Sequence, residues 1–191
     1  MSGHYLRNIK LSKIDLSIII VNYKCWDVLA RCIDSFNKYK PHTNYEIIIV
    51  DNDSQDGKFN SFQQQFHEIK LIANKGNYGF SSACNLGADN AKGDFLLFLN
   101  PDVTLTSSPA IDEMFNFAKA NTNVGITSCR TIYPNGKRER EVAFLSPWLT
   151  IGWVRALYKL ALSRKIANKF PESKNIWYPE WVAGSVILIQ K

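Results

Sequence analysis

Several features that would place the chain in a common class are missing from its sequence. The four cysteines form no C-x-x-C pair, and none of the three histidines stands at zinc-ligand spacing. The longest uninterrupted apolar runs have five residues or fewer, whereas a membrane-spanning helix needs about 20. The polar, basic N-terminus lacks the apolar core of a signal peptide. We therefore expect a cytoplasmic protein with free, mostly buried thiols.

Two common phosphate-binding motifs are also absent. No G-x-G-x-x-G follows the first predicted strand, and no G-x-x-x-x-G-K-[ST] occurs anywhere. The chain therefore lacks the phosphate-binding loop of dinucleotide oxidoreductases and of P-loop ATPases, which argues against both classes. Any phosphate that binds this chain must be met by a metal ion, by helix N-termini and by basic side chains.

The composition is that of a globular protein. The chain has 191 residues, of which 46% are hydrophobic and 21% charged, enough for one domain or one domain and part of another. Lys and Arg exceed Asp and Glu by 23 to 17, which gives a net charge of +6. This excess suits phosphate-bearing ligands or an anionic membrane surface. No run of five basic residues occurs, so we expect no nucleic-acid partner.

The apolar pattern predicts an α/β fold. Residues 16–21 form a branched run that is typical of a strand buried on both faces. Strands and helices then alternate, which predicts a mostly parallel sheet with helices on both faces. The predicted strands are 16–21, 46–50, 69–73, 95–99 and 124–129, and the predicted helices are one from 27, one near 59–66, 81–91 closed by Gly93, and 109–121.

The composition changes past residue 138. Aromatic and basic residues mix there, and the alternation of strands and helices is lost until strand character returns at 181–189. Residues 1–14 are expected to form a flexible arm. Because the chain stops directly after an apolar strand, we expect it to be a fragment of a longer protein.

Polar clusters follow four of the predicted strands. In open parallel sheets, ligands bind beyond the carboxyl ends of the strands, so these clusters are expected to meet at one edge. One polar cluster after a strand could arise by chance, but four clusters at one edge are much less expected by chance. The clusters are Asn22-Tyr23, 51–54, 74–79 and Asn100-Pro101-Asp102.

Asp102 is the candidate metal ligand. A carboxylate fixed by a proline just beyond a buried strand suits Mg²⁺ or Mn²⁺, which would bridge it to substrate phosphates. From local sequence alone, Asp102 could instead cap the next segment, and Asp51 could be a plain turn residue. Asn77, Gly79 and Asn85 could be only a loop and a helix start, although glycine there lets the backbone approach a ligand.

Five stretches carry a resemblance to a known family. Residues 16–23, 49–57, 74–80, 83–87 and 98–103 resemble, in order, the inverting family 2 glycosyltransferases. The most similar subgroup is the bacterial rhamnosyltransferase-like enzymes of O-antigen, capsule and cell-wall assembly. Residues 181–189 resemble the acceptor-side strand of that subgroup, so the resemblance covers about residues 15–191.

The resemblance implies a GT-A fold, a divalent metal and a sugar donor linked to dTDP, UDP or GDP. The sugar would be transferred, rhamnose among the candidates, to a saccharide or a lipid-linked acceptor. Residues 15–138 would form the nucleotide-sugar-binding half, and 139–191 the start of a truncated acceptor-binding half.

The resemblance also implies roles for individual residues. Those lining or contacting the base and ribose would be Val21, Asn22, Tyr23, Asp51 and Asn52, with Ser54 supporting the loop. Those facing the sugar diphosphate would be Asn77, Gly79, Phe80 and Asn85. Asn100, Pro101 and Asp102 stand where the family keeps its D-x-D motif, with Asp102 as the remaining carboxylate ligand. Trp181 and Gly184 would lie on the acceptor side.

The resemblance places the catalytic base beyond Lys191. In the family, a carboxylate there deprotonates the acceptor hydroxyl, which attacks C1 from the opposite face and inverts it. Glu180 lies before the acceptor-side strand, so it is not assigned this role. We therefore expect this chain to bind donor and to transfer sugar poorly.

Two other functions stay open on the residues. A nucleotidyltransferase would carry a glycine- and basic-rich loop after the first strand, which residues 22–26 do not supply. A non-catalytic nucleotide-sugar-binding module would lack a base altogether, and the coding sequence past Lys191 would distinguish it from an enzyme.

Residues 153–170 have two interpretations. Trp153, Leu157 and Leu160 share one face of a predicted helix, with Arg155 and Lys159 opposite. The helix either packs within the protein or against the acceptor, or it rests on the inner face of the cytoplasmic membrane as a peripheral contact.

Overall fold

The computed structural model describes residues 13–133, 135–136, 176 and 182–191. The chain divides into two units, of which the first is Met1–Cys129 with Gly184–Lys191 and the second is Arg130–Ala183. Nearly all described residues belong to the first unit. Among the residues described, no helix is long and apolar enough to cross a bilayer. The predicted helix within 153–170 falls outside them.

The first unit is built on a five-stranded sheet with the order β3-β2-β1-β4-β5. The first four strands are parallel, and β5 runs antiparallel to β4. This is the mostly parallel α/β architecture that the sequence predicts. The elements are β1 (Leu16–Asn22), α1 (Trp26–Lys38), β2 (Tyr45–Asp51), α2 (Phe59–Gln65), β3 (Lys70–Ala73), α3 (Phe80–Asp89), β4 (Phe95–Leu99), α4 (Pro109–Ala120) and β5 (Val186–Gln190).

Helices cover both faces of the central strand β1, all of whose residues are buried. Its even-numbered side chains, such as Ile18 and Ile20, pack with α1 and α4 in the main core. Its odd-numbered side chains, Ile19 and Val21, pack on the other face with alanines of α3 and the turn after it. A strand buried on both faces needs apolar side chains in both directions, which explains the four consecutive apolar residues at 18–21.

The strand predicted at 124–129 does not form, whereas the strand character predicted at 181–189 is confirmed in its second half by β5 (Val186–Gln190). Residues 124–129 form no strand, and only Thr127 bridges to Leu188. The strand beside β4 is instead β5, which begins at Val186, and Leu188 stands opposite Leu97. Val186 and Leu188 are both buried, whereas only Thr127 is buried in the 124–129 segment. The segment with more apolar side chains to bury therefore occupies the position next to β4.

Gly93 does not close α3, which ends at Asp89. It lies against the start of β1, where an added Cβ would stand 2.6 Å from Ser17 N and 2.8 Å from the Leu16 carbonyl carbon. Its own N–H donates to Ser17 Oγ at 2.9 Å. The position requires glycine because the two backbones touch.

We predict that Gly93→Ala destabilises the protein by about 1–3 kcal/mol, because the methyl group meets backbone that cannot move aside. Urea unfolding would measure this loss. Gly125→Ala is the matched control, since a Cβ there meets nothing within 4 Å, and its effect should stay within about 0.5 kcal/mol. Equal effects of the two changes would contradict the packing explanation.

Asp112, in the first turn of α4, holds the connection between α1 and β2. Its carboxylate accepts hydrogen bonds from His42 N (2.9 Å), Thr43 N (2.8 Å) and Thr43 Oγ1 (2.6 Å). Partial burial acts to raise the pKa of Asp112, but these hydrogen bonds outweigh it and the pKa is lowered. The ionised form is therefore favoured in the folded state.

This lowered pKa predicts a pH-dependent contribution to stability. The contribution is complete above the ordinary pKa of aspartate and is lost as the pH falls through the lower folded value. Because Asp112 is partly exposed, we expect on the order of 0.5 kcal/mol. The urea midpoints of wild type and Asp112→Asn should differ at pH 6 and converge on acidification. A difference independent of pH would contradict the prediction.

Candidate functional site

The carboxyl ends of β1, β2 and β4 lie side by side. Asn22 ends β1 directly opposite Asp51, which ends β2. On the other side of β1, Leu99 of β4 pairs with Ile20, and Asn100 follows it. Across β2, Ala73 of β3 pairs with Asp51, and Asn74 follows it. All four predicted polar clusters thus start at one edge of the sheet, as expected from parallel strands.

A buried hydrogen-bond network fills this edge. Asn22 Nδ2 donates to Asp51 Oδ1 at 2.7 Å and to Ser54 Oγ at 3.3 Å. Ser54 Oγ in turn donates to Asp51 Oδ1, and Ser54 N donates to Asp51 Oδ2 at 3.2 Å. All three residues are buried: Asn22 is 0% exposed, Asp51 5% and Ser54 1%. Both Asp51 oxygens are thus satisfied inside the protein.

The same network fixes the backbone that leads from β1 into α1. Lys24 N donates to Ser54 Oγ at 2.9 Å, and Cys25 N donates to Asn22 Oδ1 at 3.3 Å. Lys24 has φ of +55°, a left-handed conformation that costs a non-glycine residue about 1 kcal/mol. The neighbouring Tyr23 is 47% exposed, with Lys24 Nζ 5.2 Å from its ring centroid. The buried hydrogen-bond network therefore supports a half-exposed aromatic side chain, that of Tyr23.

Three asparagine side chains tie β2 to the loop before α3. Asn74 Nδ2 donates to Asn52 Oδ1 at 3.0 Å, and Asn52 Nδ2 donates to Asn77 Oδ1 at 2.8 Å. Asn77 Oδ1 also accepts from Gly79 N at 3.2 Å. Asn52 is buried, while Asn77 and Phe80 are exposed. Gly79 makes the turn into α3 with a φ of +91°, a backbone conformation that residues other than glycine rarely adopt.

Asp102 is exposed beyond the end of β4. Asn100 N donates to Ser185 O at 2.9 Å, and Val103 N donates to Asn100 O at 3.2 Å, which closes a turn around Pro101 and Asp102. In the described part of the chain, the Asp102 carboxylate accepts no hydrogen bond, and no group of three or more His, Cys, Asp or Glu side chains converges for a metal. One open carboxylate fits a hard cation that keeps most of its waters and takes phosphate oxygens.

The remaining predicted site residues lie in different settings. Val21 packs into the core with Ala83 and is 7% exposed. Asn85 is exposed in the second turn of α3, and Gly184 is exposed just before β5. Trp181 falls outside the residues that the structure describes.

Some supporting residues were not apparent from the sequence. Trp26 Nε1 donates to both carboxylate oxygens of Asp56, at 2.8 and 3.0 Å, which anchors the loop after β2 on α1. Asp53 and Gln55 in that loop both have positive φ. Trp26 and Asp56 stand 30 residues apart, so no local sequence pattern indicates this contact.

Two of the four cysteines are held as neutral thiols by burial. All four are free, as predicted, although only Cys32 is fully buried. Burial raises the pKa of Cys32 to about 12 and that of Cys84 to about 11, so both stay protonated at neutral pH. Neither of these two thiols is therefore a nucleophile at neutral pH.

The sequence profile described as "Glycosyl transferase family 2" matches residues 17–174. The chain belongs to glycosyl transferase family 2. The match covers more than four fifths of the chain and includes every described strand except β5. Family and sheet topology together confirm the predicted GT-A fold.

Two curated relatives illustrate this membership. Poly(ribitol-phosphate) beta-glucosyltransferase of Bacillus spizizenii is 32% identical over 111 residues, covering 56% of this chain and 17% of that protein. The minor teichoic acid biosynthesis protein GgaB of Bacillus subtilis is 29% identical over 135 residues, covering 68% of this chain and 15% of that protein. The chain thus spans less than a fifth of the length of either.

Solved structures show the same fold. The mannosyltransferase PcManGT from Pyrobaculum calidifontis, in complex with GDP-Man and Mn²⁺, aligns with a TM-score of 0.62 at 16% identity, covering 92% of this chain and 44% of that one. S. aureus TarS in complex with UDP-GlcNAc aligns with a TM-score of 0.51 at 20% identity, covering 59% and 33%. At these identities the likeness establishes the fold alone.

We predict that Ser54→Ala lowers the free energy of unfolding by about 1–3 kcal/mol, because the buried Asn22 and Asp51 groups and the Lys24 N–H lose a partner. Thermal and urea unfolding would measure the loss. Ser61→Ala removes an exposed serine whose hydroxyl donates to one backbone carbonyl among the described residues, Lys58 O, so it should change stability by less than about 0.5 kcal/mol. If Ser54→Ala were as mild as Ser61→Ala, the network would not hold this edge together.

Proposed function

We propose that the chain is the donor-binding part of a glycosyltransferase that uses a nucleotide-diphosphate sugar to build a cell-wall, teichoic acid or O-antigen polysaccharide. The observation that carries the proposal is the meeting of Asn22, Asp51 and the Asn100–Asp102 turn at one edge of the sheet in a family 2 chain. The names of the relatives support the polymer class.

The exposed residues of the edge contact the donor in this proposal. Tyr23, half-exposed with Lys24 Nζ over its ring, offers an aromatic surface to the base and ribose, a contact suited to stacking. Asp51 and Asn52 are almost wholly buried, so they act on the base or ribose through a small exposed margin and through the loop that they and Ser54 fix. Val21, packed against Ala83, would lie beneath the base and ribose.

The loop at the start of α3 receives the sugar diphosphate. Asn77 uses its Oδ1 inside the protein, which leaves the Nδ2 donor for the ligand. Gly79 allows close approach, and Phe80 and Asn85 follow it on exposed surface of α3. The positive end of the helix dipole favours an anion at this place.

Asp102 would hold a divalent metal, Mg²⁺ or Mn²⁺, together with phosphate oxygens of the donor. When bound, the ion supplies positive charge that stabilises the leaving diphosphate. Asn100 stands in place of the first carboxylate of a D-x-D motif, so Asp102 would be the one charged protein ligand and water would supply further ligands. PcManGT, which shares the fold, was solved with Mn²⁺.

The finer features of the reaction are part of the proposal. The sugar is transferred with inversion to a saccharide or lipid-linked acceptor, by a carboxylate base placed beyond Lys191, with Trp181 and Gly184 on the acceptor side. Rhamnose is the sugar that the subgroup resemblance implies. The reaction takes place in the cytoplasm, with the acceptor at the inner face of the membrane.

Calorimetric titration tests the donor site. UDP, dTDP and GDP are titrated with and without Mn²⁺ into wild type, Asp102→Ala and Asp94→Ala. Asp94 is the control because it precedes β4, whereas Asp102 follows it, and it pairs only with exposed Lys13 among the described residues. We expect one nucleotide to bind, with Mn²⁺ strengthening binding at least about 10-fold, or about 1.4 kcal/mol. Asp102→Ala should abolish that gain, and Asp94→Ala should retain it.

A folded protein that binds none of the three nucleotides would overturn the proposal, and a circular dichroism melt on the same sample establishes folding. Binding that ignores Mn²⁺ and Asp102 would overturn the metal assignment alone. Repeating the titration with UDP-GlcNAc, GDP-mannose and dTDP-rhamnose identifies the sugar, and dTDP-rhamnose failing to bind would overturn rhamnose.

A further inference from the structure

The loop that carries Asp102 is attached to the protein on both sides of the carboxylate. On the chain-N-terminal side, Asn100 N donates to Ser185 O, and the turn closed by Val103 follows. On the other side, Leu105 N donates to Ser35 Oγ at 2.9 Å. The Leu105 side chain is buried in the main core. Asp102 therefore stands between two anchored points only five residues apart.

Ser35 is the second of these anchors, and it lies on α1 rather than on the loop. Its hydroxyl donates to Cys32 O at 2.6 Å, which directs its lone pairs to the Leu105 N–H. The serine is buried on the helix face that packs against the sheet. A hydroxyl with both a donor and an acceptor partner holds the loop in one position, whereas an apolar side chain would leave Leu105 N–H unpaired.

We propose that Ser35 is a positioning residue for Asp102, which acts through Leu105 N to hold the carboxylate where a divalent metal and the donor diphosphate meet. The inference rests on the proposed function, in which Asp102 is the metal ligand. Groups that orient a metal ligand affect metal affinity without touching the ion. Ser35 would thus affect the metal and leave the base pocket unchanged.

Ser17 provides a matched control at the opposite end of the sheet. It is also a buried serine, and its hydroxyl donates to Glu46 Oε1 at 2.7 Å and accepts from Gly93 N at 2.9 Å. Ser17→Ala and Ser35→Ala therefore remove the same chemistry, one donated and one accepted hydrogen bond. They differ in that only Ser35 is linked to the loop of Asp102.

The test measures the Mn²⁺ concentration at which binding of the best of UDP, dTDP and GDP is half-maximally enhanced. Titration of the corresponding nucleoside without metal reports the base pocket separately, and urea unfolding reports stability. We expect Ser35→Ala to raise the Mn²⁺ midpoint about 10-fold, with nucleoside affinity unchanged. Ser17→Ala should lose stability yet keep the wild-type midpoint. Ser35→Cys places a weakly accepting sulfur at the same position, so its Mn²⁺ midpoint should fall between those of wild type and Ser35→Ala. If Ser35→Ala does not fold, Ser35→Cys takes its place in the test.

A wild-type Mn²⁺ midpoint in Ser35→Ala, or in Ser35→Cys where that variant replaces it, would overturn the inference while leaving the proposed function intact. Equal rises for Ser17→Ala and the Ser35 variant would also overturn it, since the effect would then follow general destabilisation. If wild type shows no Mn²⁺ dependence, or if Asp102→Ala keeps it, the metal assignment fails and the inference falls with it.

Discussion

The carboxyl edge of the sheet depends on one buried contact, between Asn22 Nδ2 and Asp51 Oδ1 at 2.7 Å. It joins the last residues of two neighbouring parallel strands at equal register. Buried polar groups are costly without hydrogen-bond partners, so the pair requires further partners nearby. Ser54 Oγ donates a hydrogen bond to the Asp51 carboxylate and accepts one from Lys24 N. The left-handed Lys24 and the exposed Tyr23 follow from this interior arrangement.

The two carboxylates at this edge, those of Asp51 and Asp102, lie in different environments. Asp51 is buried, and both its oxygens accept hydrogen bonds from the protein, so its charge serves to organise the loop. Asp102 is exposed, and its loop is anchored through backbone groups on either side, so its charge is available to a ligand. A buried acid that fixes the loop after β2 and an open acid after β4 give a physical basis for binding a phosphate-linked cation without a closed metal cage.

The sequence was most informative where one physical effect dominates. The apolar runs of β1, β2 and β4 predict buried strands, and polar residues directly after them predict the ligand edge. Prediction failed where segments compete or where only three-dimensional proximity decides. Strand character is predicted for both 124–129 and 181–189, but only the second contains a strand, β5, which buries Val186 and Leu188. Gly93 serves a backbone contact with β1, and Ser35 looks like any helical serine until Leu105 is seen beside it.

The most direct test of donor binding at this edge is a crystal structure of the chain with Mn²⁺ and its preferred nucleoside diphosphate, with anomalous diffraction to locate manganese. We predict an anomalous peak beside the Asp102 carboxylate, the nucleotide against Tyr23, and an unbroken Asn22–Asp51 contact. A nucleotide bound away from the carboxyl ends of β1, β2 and β4, or manganese bound by Asp51 after its release from Asn22, would contradict the division of roles between the two carboxylates.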